Sequence, residues 1–334
     1  MMYRVLITDS IEPPPTLEQA VLQDFAEVVC LKMTAERPLD QCVSDADALI
    51  VYHECTVTAQ TIANMPNCRV IVRGGVGYDN VDIVAAAARS IPVCNIPDYG
   101  VDEVADHAIG LLLALNRGIV RSDRRLRDTL FPWDRRVVEP VFRLSEMTLG
   151  IVGCGRIGSA MVRRAKSLKL RVLVYDPYLR PGMEKSLDVE RVDWATLLEQ
   201  SDFVSVHTPL TEETRHLLND ESISRMRPGA MLINTSRGAV VDTNAVARAL
   251  RAGTLSGAAI DVLAHEPPTQ SSELIQLWQD RSIDVNLIVT PHIAYYSTAA
   301  ITEIRRKGVE EVRRVLSGEK PLNCVNLDLY PPKC

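Results

Sequence analysis

Leu149-Gly150-Ile151-Val152-Gly153-Cys154-Gly155-Arg156-Ile157-Gly158 is an apolar run that passes directly into a glycine-rich turn and then into helix-like sequence ending near Lys169. Strand, phosphate loop and helix follow one another in this way where a dinucleotide is bound. Gly153 permits the tight turn, Gly155 lets the backbone approach a pyrophosphate, and Gly158 lets the helix pack close to the strand. The phosphates then sit on the N–H groups of the helix N-terminus. The next strand candidate, Arg171 to Tyr175, ends at Asp176, 18 residues after Gly158. A carboxylate there accepts hydrogen bonds from both adenosine ribose hydroxyls and repels a 2′-phosphate, which favours NAD over NADP. The bland alternative is that Asp176 only opens the turn Asp176-Pro177-Tyr178.

On either side of this stretch the chain alternates between short β-branched runs and longer amphipathic ones. Strands are expected at 3–8, 27–31, 47–51, 69–73 and 92–95, and a second series near 148–152, 171–175, 202–206, 230–234, 256–260 and 287–289. That alternation predicts parallel sheets covered by helices. Asp102 to Arg117 reads as a long helix, too apolar at Leu111, Leu112, Leu113 and Leu115 for a solvated face and expected to pack between domains. Ser297 to Ser317 reads as one amphipathic helix stopped by Gly318. The expected fold is α/β with two doubly wound parallel-sheet domains. A Rossmann-type nucleotide domain, 101–295, is inserted in a flavodoxin-like substrate domain formed by 1–100 and 296–334.

With 334 residues, 46% of them hydrophobic and 24% charged, the chain can build two sizeable cores. Its net charge of −6 argues against nucleic acid as a partner. The arginines between Arg117 and Arg136 are interleaved with Asp123, Asp128 and Asp134, as on a solvated or subunit-contact face. No run reaches the ~18 apolar residues of a membrane span, and Met1 to Thr8 leads straight into a strand pattern, so a cytoplasmic protein is expected. The eight cysteines contain no C-x-x-C pair and suit reduced buried thiols better than disulfides or zinc. No metal site is expected.

In open α/β sheets, ligands sit beyond the carboxyl ends of the strands. In the second series those positions read His207-Thr208-Pro209-Leu210, Thr235-Ser236-Arg237-Gly238, Asp261-Val262 with His265-Glu266-Pro267, and Thr290-Pro291-His292. An arginine, a carboxylate and a histidine thus converge on one crevice. Behind a dinucleotide that delivers a hydride to a carbonyl carbon, a proton is needed at the oxygen; histidine suits that task and a guanidinium fork suits a carboxylate or carbonyl oxygen. Each of these residues alone reads as bland, as a turn histidine or a surface ion pair. Together, behind a dinucleotide fold, they read as catalytic.

At these residues the chain resembles the D-isomer-specific 2-hydroxyacid dehydrogenase family over nearly its full length. The matching motifs are Gly153 to Gly158, His207 to Thr211, Asn234 to Gly238, Asp261-Val262 with Glu266-Pro267, and Thr290-Pro291-His292. The resemblance implies that Arg237 binds substrate, Glu266 supports the histidine and His292 donates the proton. It further implies that Asp261 accepts from the nicotinamide carboxamide and that His207 shapes the nicotinamide pocket. On this reading NAD or NADH is held by Gly153, Gly155, Arg156, Ile157, Gly158, Tyr175, Asp176, Pro177, His207, Thr208, Pro209, Thr235, Ser236, Arg237, Asp261 and His292. The stretch Arg73 to Asn80 looks like the family's carboxylate-holding loop. Substrate contacts are expected from Tyr52, His53, Gly75, Val76, Gly77, Tyr99, Arg237 and Tyr295, with His107, His216 and His265 structural or exposed.

Tyr52-His53, Val93-Cys94-Asn95, Tyr175-Asp176-Pro177-Tyr178 and Pro291 to Ser297 resemble the C-terminal-binding protein corepressors and their bacterial relatives, which carry a tryptophan where Tyr295 stands. Glu266 distinguishes the chain from formate dehydrogenases, and Gly74 to Gly77 from phosphite dehydrogenases, which carry a lysine there. Two functions follow. One is an NAD-dependent dehydrogenase acting on a small 2-keto or 2-hydroxy acid. The other is an NAD-sensing interaction module with weak activity, which would not need an intact Arg237, Glu266 and His292. The family's homodimers join through the nucleotide domain, and 118–147, with Phe131, Pro132 and Trp133, is the expected arm.

Overall fold

Val5, Leu6 and Ile7 are all buried, so the first strand is covered on both faces, as a parallel strand between helix layers must be. The computed structural model describes residues 2–33 and 39–330. Cys334 lies outside them. The chain divides into two units, Met1–Tyr99 with Ser297–Cys334, and Gly100–Tyr296.

In the first unit the strands β1 (Tyr3–Ile7), β2 (Ala26–Cys30), β3 (Ala48–Val51), β4 (Val70–Arg73) and β5 (Val93–Asn95) alternate with helices α1 (Thr16–Leu22), α2 (Ala59–Ala63) and α3 (Ile83–Ala88). All strand pairs are parallel, in the order β2-β1-β3-β4-β5. This is the flavodoxin-like order.

The second unit begins with α4 (Val101–Arg117) and α5 (Ile119–Asp128), then runs through β6 (Thr148–Val152), α6 (Arg156–Ser167), β7 (Arg171–Tyr175), α7 (Met183–Leu187), β8 (Glu190–Arg191), α8 (Trp194–Gln200) and β9 (Phe203–Val206). It continues with α9 (Asp220–Ser224), β10 (Ala230–Asn234), α10 (Thr243–Ala252), β11 (Leu255–Ile260), α11 (Glu273–Gln279) and β12 (Leu287–Val289). Its parallel sheet has the order β12-β11-β10-β9-β6-β7-β8. The order reverses between β6 and β9, which places the ligand crevice at their carboxyl ends. Two apolar layers cover the sheet: one holds Leu112, Leu149, Met161 and Val162, the other Leu198, Val246, Leu250 and Leu274.

The buried residues of α4 (Val104, Ala108, Leu111, Leu112 and Leu115) form one stripe taken up within the second unit by α6, β10, β11 and β12. Two elements were not expected. β8 is a two-residue edge strand without an apolar pattern. In α5 one carboxylate, Asp284, holds both Arg121, at 2.6 Å, and Arg125, while Arg127 pairs with Asp123.

The chain returns to the first unit with α12 (Thr298–Leu316), capped by Ser297, whose Oγ accepts from the Ala300 N–H at 2.9 Å. It packs on α1, β3 and β4. Arg305 clamps the buried Glu18 through two hydrogen bonds of 2.7 and 2.8 Å, tying α12 to α1. Among the described residues no helix is long and apolar enough to cross a membrane.

Candidate active site

Gly153 has φ +86, a left-handed conformation that favours glycine, and a Cβ there would lie 2.9 Å from the His207 carbonyl oxygen. A Cβ on Gly158 would lie 2.1 Å from the Gly153 carbonyl oxygen, so α6 approaches the loop only because the side chain is missing. Around Gly155 nothing lies within 4 Å, which leaves open space above the first turn of α6, where Arg156 and Ile157 begin the helix. Asp176 follows β7. Its Oδ2 accepts from the Cys154 N–H at 2.8 Å and its Oδ1 from the Tyr178 N–H at 2.9 Å. The carboxylate therefore both opens the turn at Pro177 and binds the glycine loop to β7. The Tyr175 ring packs on Trp194.

At the carboxyl ends of β9 and β10 three buried polar atoms, His207 Nδ1, Thr208 Oγ1 and Thr235 Oγ1, make no hydrogen bond within the described structure. Buried donors and acceptors are rarely left unsatisfied. A dinucleotide rich in amide, hydroxyl and phosphate groups matches them, and the bare Gly155 turn matches its pyrophosphate. His207 bonds Ser205 Oγ through Nε2 at 2.9 Å, and burial pushes its pKa down to about 4. Pro209 is exposed beside it.

The loops after β10, β11 and β12 meet within the second unit. A Cβ on Gly238 would lie 1.9 Å from the Leu263 carbonyl carbon, so the Arg237 loop lies directly against the segment leading to Glu266. Arg237 Nη1 donates to the Ser236 carbonyl at 2.8 Å. Glu266 divides its oxygens: Oε1 accepts from the Leu263 N–H at 2.7 Å, and Oε2 lies 2.7 Å from His292 Nδ1. His292 adopts φ +53, and its N–H donates to the Asp261 carbonyl at 2.7 Å. The Tyr295 ring meets the His292 ring edge-on at 6.0 Å.

In the first unit Gly75, Val76 and Gly77 follow β4. The Gly75 N–H donates to the Arg73 carbonyl at 2.8 Å, the Gly75 carbonyl accepts from the Ile96 N–H at 2.9 Å, and Asn95 Nδ2 donates to the Val76 carbonyl at 2.6 Å. Tyr52 is buried with its ring against Gly74, where a Cβ would lie 2.4 Å from Cε1. It backs the loop, while His53 is exposed and Tyr99 is buried.

Residues 109–294 match the family described as D-isomer specific 2-hydroxyacid dehydrogenase, NAD binding domain. A glyoxylate reductase from Thermococcus litoralis is 38% identical over 322 residues, covering 92% of this chain and 93% of its own length. The chain belongs to the D-isomer-specific 2-hydroxyacid dehydrogenase family. A glyoxylate reductase from Korarchaeum cryptofilum is 39% identical over 86% of this chain and 85% of its own length. A D-lactate dehydrogenase from Aquifex aeolicus, solved with NAD and lactic acid, superposes with a TM-score of 0.84 at 29% identity, with 97% of each chain covered. The protein is a D-2-hydroxyacid dehydrogenase and its cofactor is NAD.

Four further residues of these motifs and of α4 take supporting positions that their sequence context did not specify. Asp261, 1% exposed, turns its carboxylate into the His292 loop, accepting from Thr290 Oγ1 at 2.5 Å and from the N–H groups of Ile293 and Ala294 at 3.1 and 3.0 Å. His107 on α4 stands 3.3 Å from Thr290 Oγ1 and 3.6 Å from Asp261 Oδ1. The fully buried Asn234 shapes the arginine loop by accepting from the Ser236 N–H and hydroxyl and donating to the Arg237 carbonyl. The buried Arg73 has its guanidinium where a Gly75 side chain would be, 1.4 Å from the Cβ position. The contacts of Asp261 and His107 join residues distant in sequence, whereas those of Asn234 and Arg73 are made within their own loops.

Proposed function

We propose that this dehydrogenase reduces small 2-keto acids of glyoxylate or pyruvate size to D-2-hydroxy acids with NADH. The observation that carries the reading is the 2.7 Å approach of Glu266 Oε2 to His292 Nδ1. With Nδ1 committed to a carboxylate, the ring is fixed in orientation and the proton for the substrate oxygen leaves from Nε2. When bound, NADH supplies the hydride. Arg237 draws electron density toward the keto oxygen and pairs with the acid group through its guanidinium fork. His292 protonates the oxygen as the carbon is reduced, and Glu266 stabilises the imidazolium that precedes transfer. In the first unit the substrate carboxylate is held by backbone N–H groups of the Gly75 to Gly77 loop. Because the Gly75 N–H already serves Arg73, Val76 and Gly77 are the donors. Tyr52 acts from behind that loop, and His53, Tyr99 and Tyr295 set side-chain preference.

The names of the Thermococcus and Korarchaeum relatives and the ligands of the Aquifex structure support this substrate class. Within the family we assign the chain to the branch of the C-terminal-binding protein corepressors on its Tyr52-His53 and Pro291 to Ser297 motifs. We further propose a homodimer joined through residues 118–147, where Phe131 and Trp133 are 78% and 73% exposed. The test is NADH oxidation against glyoxylate, hydroxypyruvate, pyruvate and phenylpyruvate, with His292→Ala as control. Turnover that His292→Ala reduces by about 10²–10⁴ is expected. Tight NADH binding with no turnover of any acid would instead favour the cofactor-sensing module.

A further inference from the structure

Cys94 in β5 and Cys324 in the segment after α12 face each other across an isolated antiparallel bridge. The flanking hydrogen bonds run from the Val325 N–H to the Val93 carbonyl at 2.8 Å and from the Asn95 N–H to the Asn323 carbonyl at 3.2 Å. The two cysteines therefore form the non-hydrogen-bonded pair of the ladder, the position where Cα atoms come within about 4.5 Å and side chains are closest. That separation lies inside the window of about 4.4–6.8 Å that a disulfide requires. Asn326, fully buried, holds the register by accepting from the Val93 N–H at 2.9 Å and donating to the Ile91 carbonyl at 3.0 Å.

We propose that Cys94 and Cys324 are a peroxide-reactive dithiol that closes to a cross-strand disulfide and fastens the C-terminal segment to the edge strand β5. The surroundings divide the labour between the two sulfurs. Cys324 is half-buried and its thiol donates to Asn326 Oδ1 at 3.1 Å, while the neighbouring Cys94 thiol, the Asn326 N–H and the Tyr330 hydroxyl hold its pKa below the usual thiol range. Cys94 is fully buried, and the neighbouring Cys324 sulfur, burial and the Glu311 carboxylate together push its thiol above the usual range, which keeps it protonated. Cys324 is thus the attacking thiolate and Cys94 the resolving thiol.

In the first step the Cys324 thiolate attacks one oxygen of hydrogen peroxide. The O–O bond breaks, the departing hydroxide takes a proton to become water, and the cysteine becomes a sulfenic acid. In the second, Cys94 passes its proton to Glu311 and attacks the sulfenic sulfur. The S–S bond forms and hydroxide leaves, taking the proton from Glu311 to become water. Peroxide is reduced and both thiols are oxidised by one electron each. β5 is the edge of its sheet, and the bridge closes that edge covalently next to Asn95, which holds the Val76 carbonyl.

The test treats the whole protein with hydrogen peroxide, alkylates the remaining thiols and maps peptides without reduction. A Cys94–Cys324 linked peptide that dithiothreitol abolishes, formed at least as fast as the exposed Cys42 is oxidised, is the expected result. Cys94→Ser should leave Cys324 to advance to sulfinic acid, and Cys324→Ser should leave Cys94 reduced. The proposal is overturned if, in the wild type, both cysteines stay alkylatable after Cys42 is consumed, or if Cys324 carries only higher oxides.

Discussion

His292 sits in a left-handed conformation, which costs a non-glycine residue roughly 1–2 kcal/mol and persists only where neighbours over-determine it. Asp261 is the neighbour: its carbonyl takes the His292 N–H, and its carboxylate takes the next two N–H groups and the Thr290 hydroxyl. Two roles are open to this carboxylate, and they separate by measurement. Asp261→Asn turns an acceptor into a donor facing N–H groups, so we expect a stability loss of about 1–3 kcal/mol and a fall in kcat with little change in NADH affinity. Loss of NADH affinity at unchanged kcat would show instead that Asp261 serves the nicotinamide. Glu266→Gln keeps an acceptor for the Leu263 N–H but removes the charge beside His292. Its kcat should fall on the order of tenfold, less than that of His292→Asn, at about 10²–10⁴. Equal losses in the two variants would remove the division of roles between acid and support.

The phosphate loop makes a prediction at the scale of a strand–turn–helix element, because its glycines are bare for different reasons. Gly158→Ala would drive a methyl against the Gly153 carbonyl, so α6 must shift, and the stability loss should be about 1–3 kcal/mol. Gly155→Ala meets no protein atom, and Gly155 has φ −73, which alanine accepts. Its melting temperature should hold while NADH affinity falls. If both variants lose stability alike, the space above Gly155 is not where the dinucleotide lies. These elements were legible because the glycine spacing, the alternation of β-branched runs and the amphipathic period of 297–317 with its stop at Gly318 are all local. α5 was not, since Arg121 and Arg125 owe their place to Asp284, about 160 residues away. The same holds for the hydrogen bonds that Asp261, read from the sequence only as a nicotinamide contact, makes to the His292 loop, and for Cys94 and Cys324, which look like unrelated buried thiols until the C-terminal segment returns to β5.

At the scale of the whole molecule the stability of the second unit should carry a signature of His207. Burial holds its folded pKa near 4, against an ordinary value of 6.5. Between these pH values the unfolded chain binds a proton that the folded chain does not, so stability rises with pH across that window. The contribution is complete above pH 6.5 and is lost as pH falls toward 4. Over a shift of this size it amounts to roughly 3 kcal/mol, or roughly 5–10 °C for a unit of this length. Two units need not unfold together, so the transition to follow is the one that NADH raises. His207→Gln cannot titrate, and whatever its stability at neutral pH, its decline between pH 6.5 and 4 should be shallower than that of the wild type. Parallel declines would mean that His207 takes up its proton in the folded protein as readily as in the unfolded chain. The strand ends around it would then admit a charge, where the geometry of Ser205 and the buried Nδ1 calls for a neutral ring.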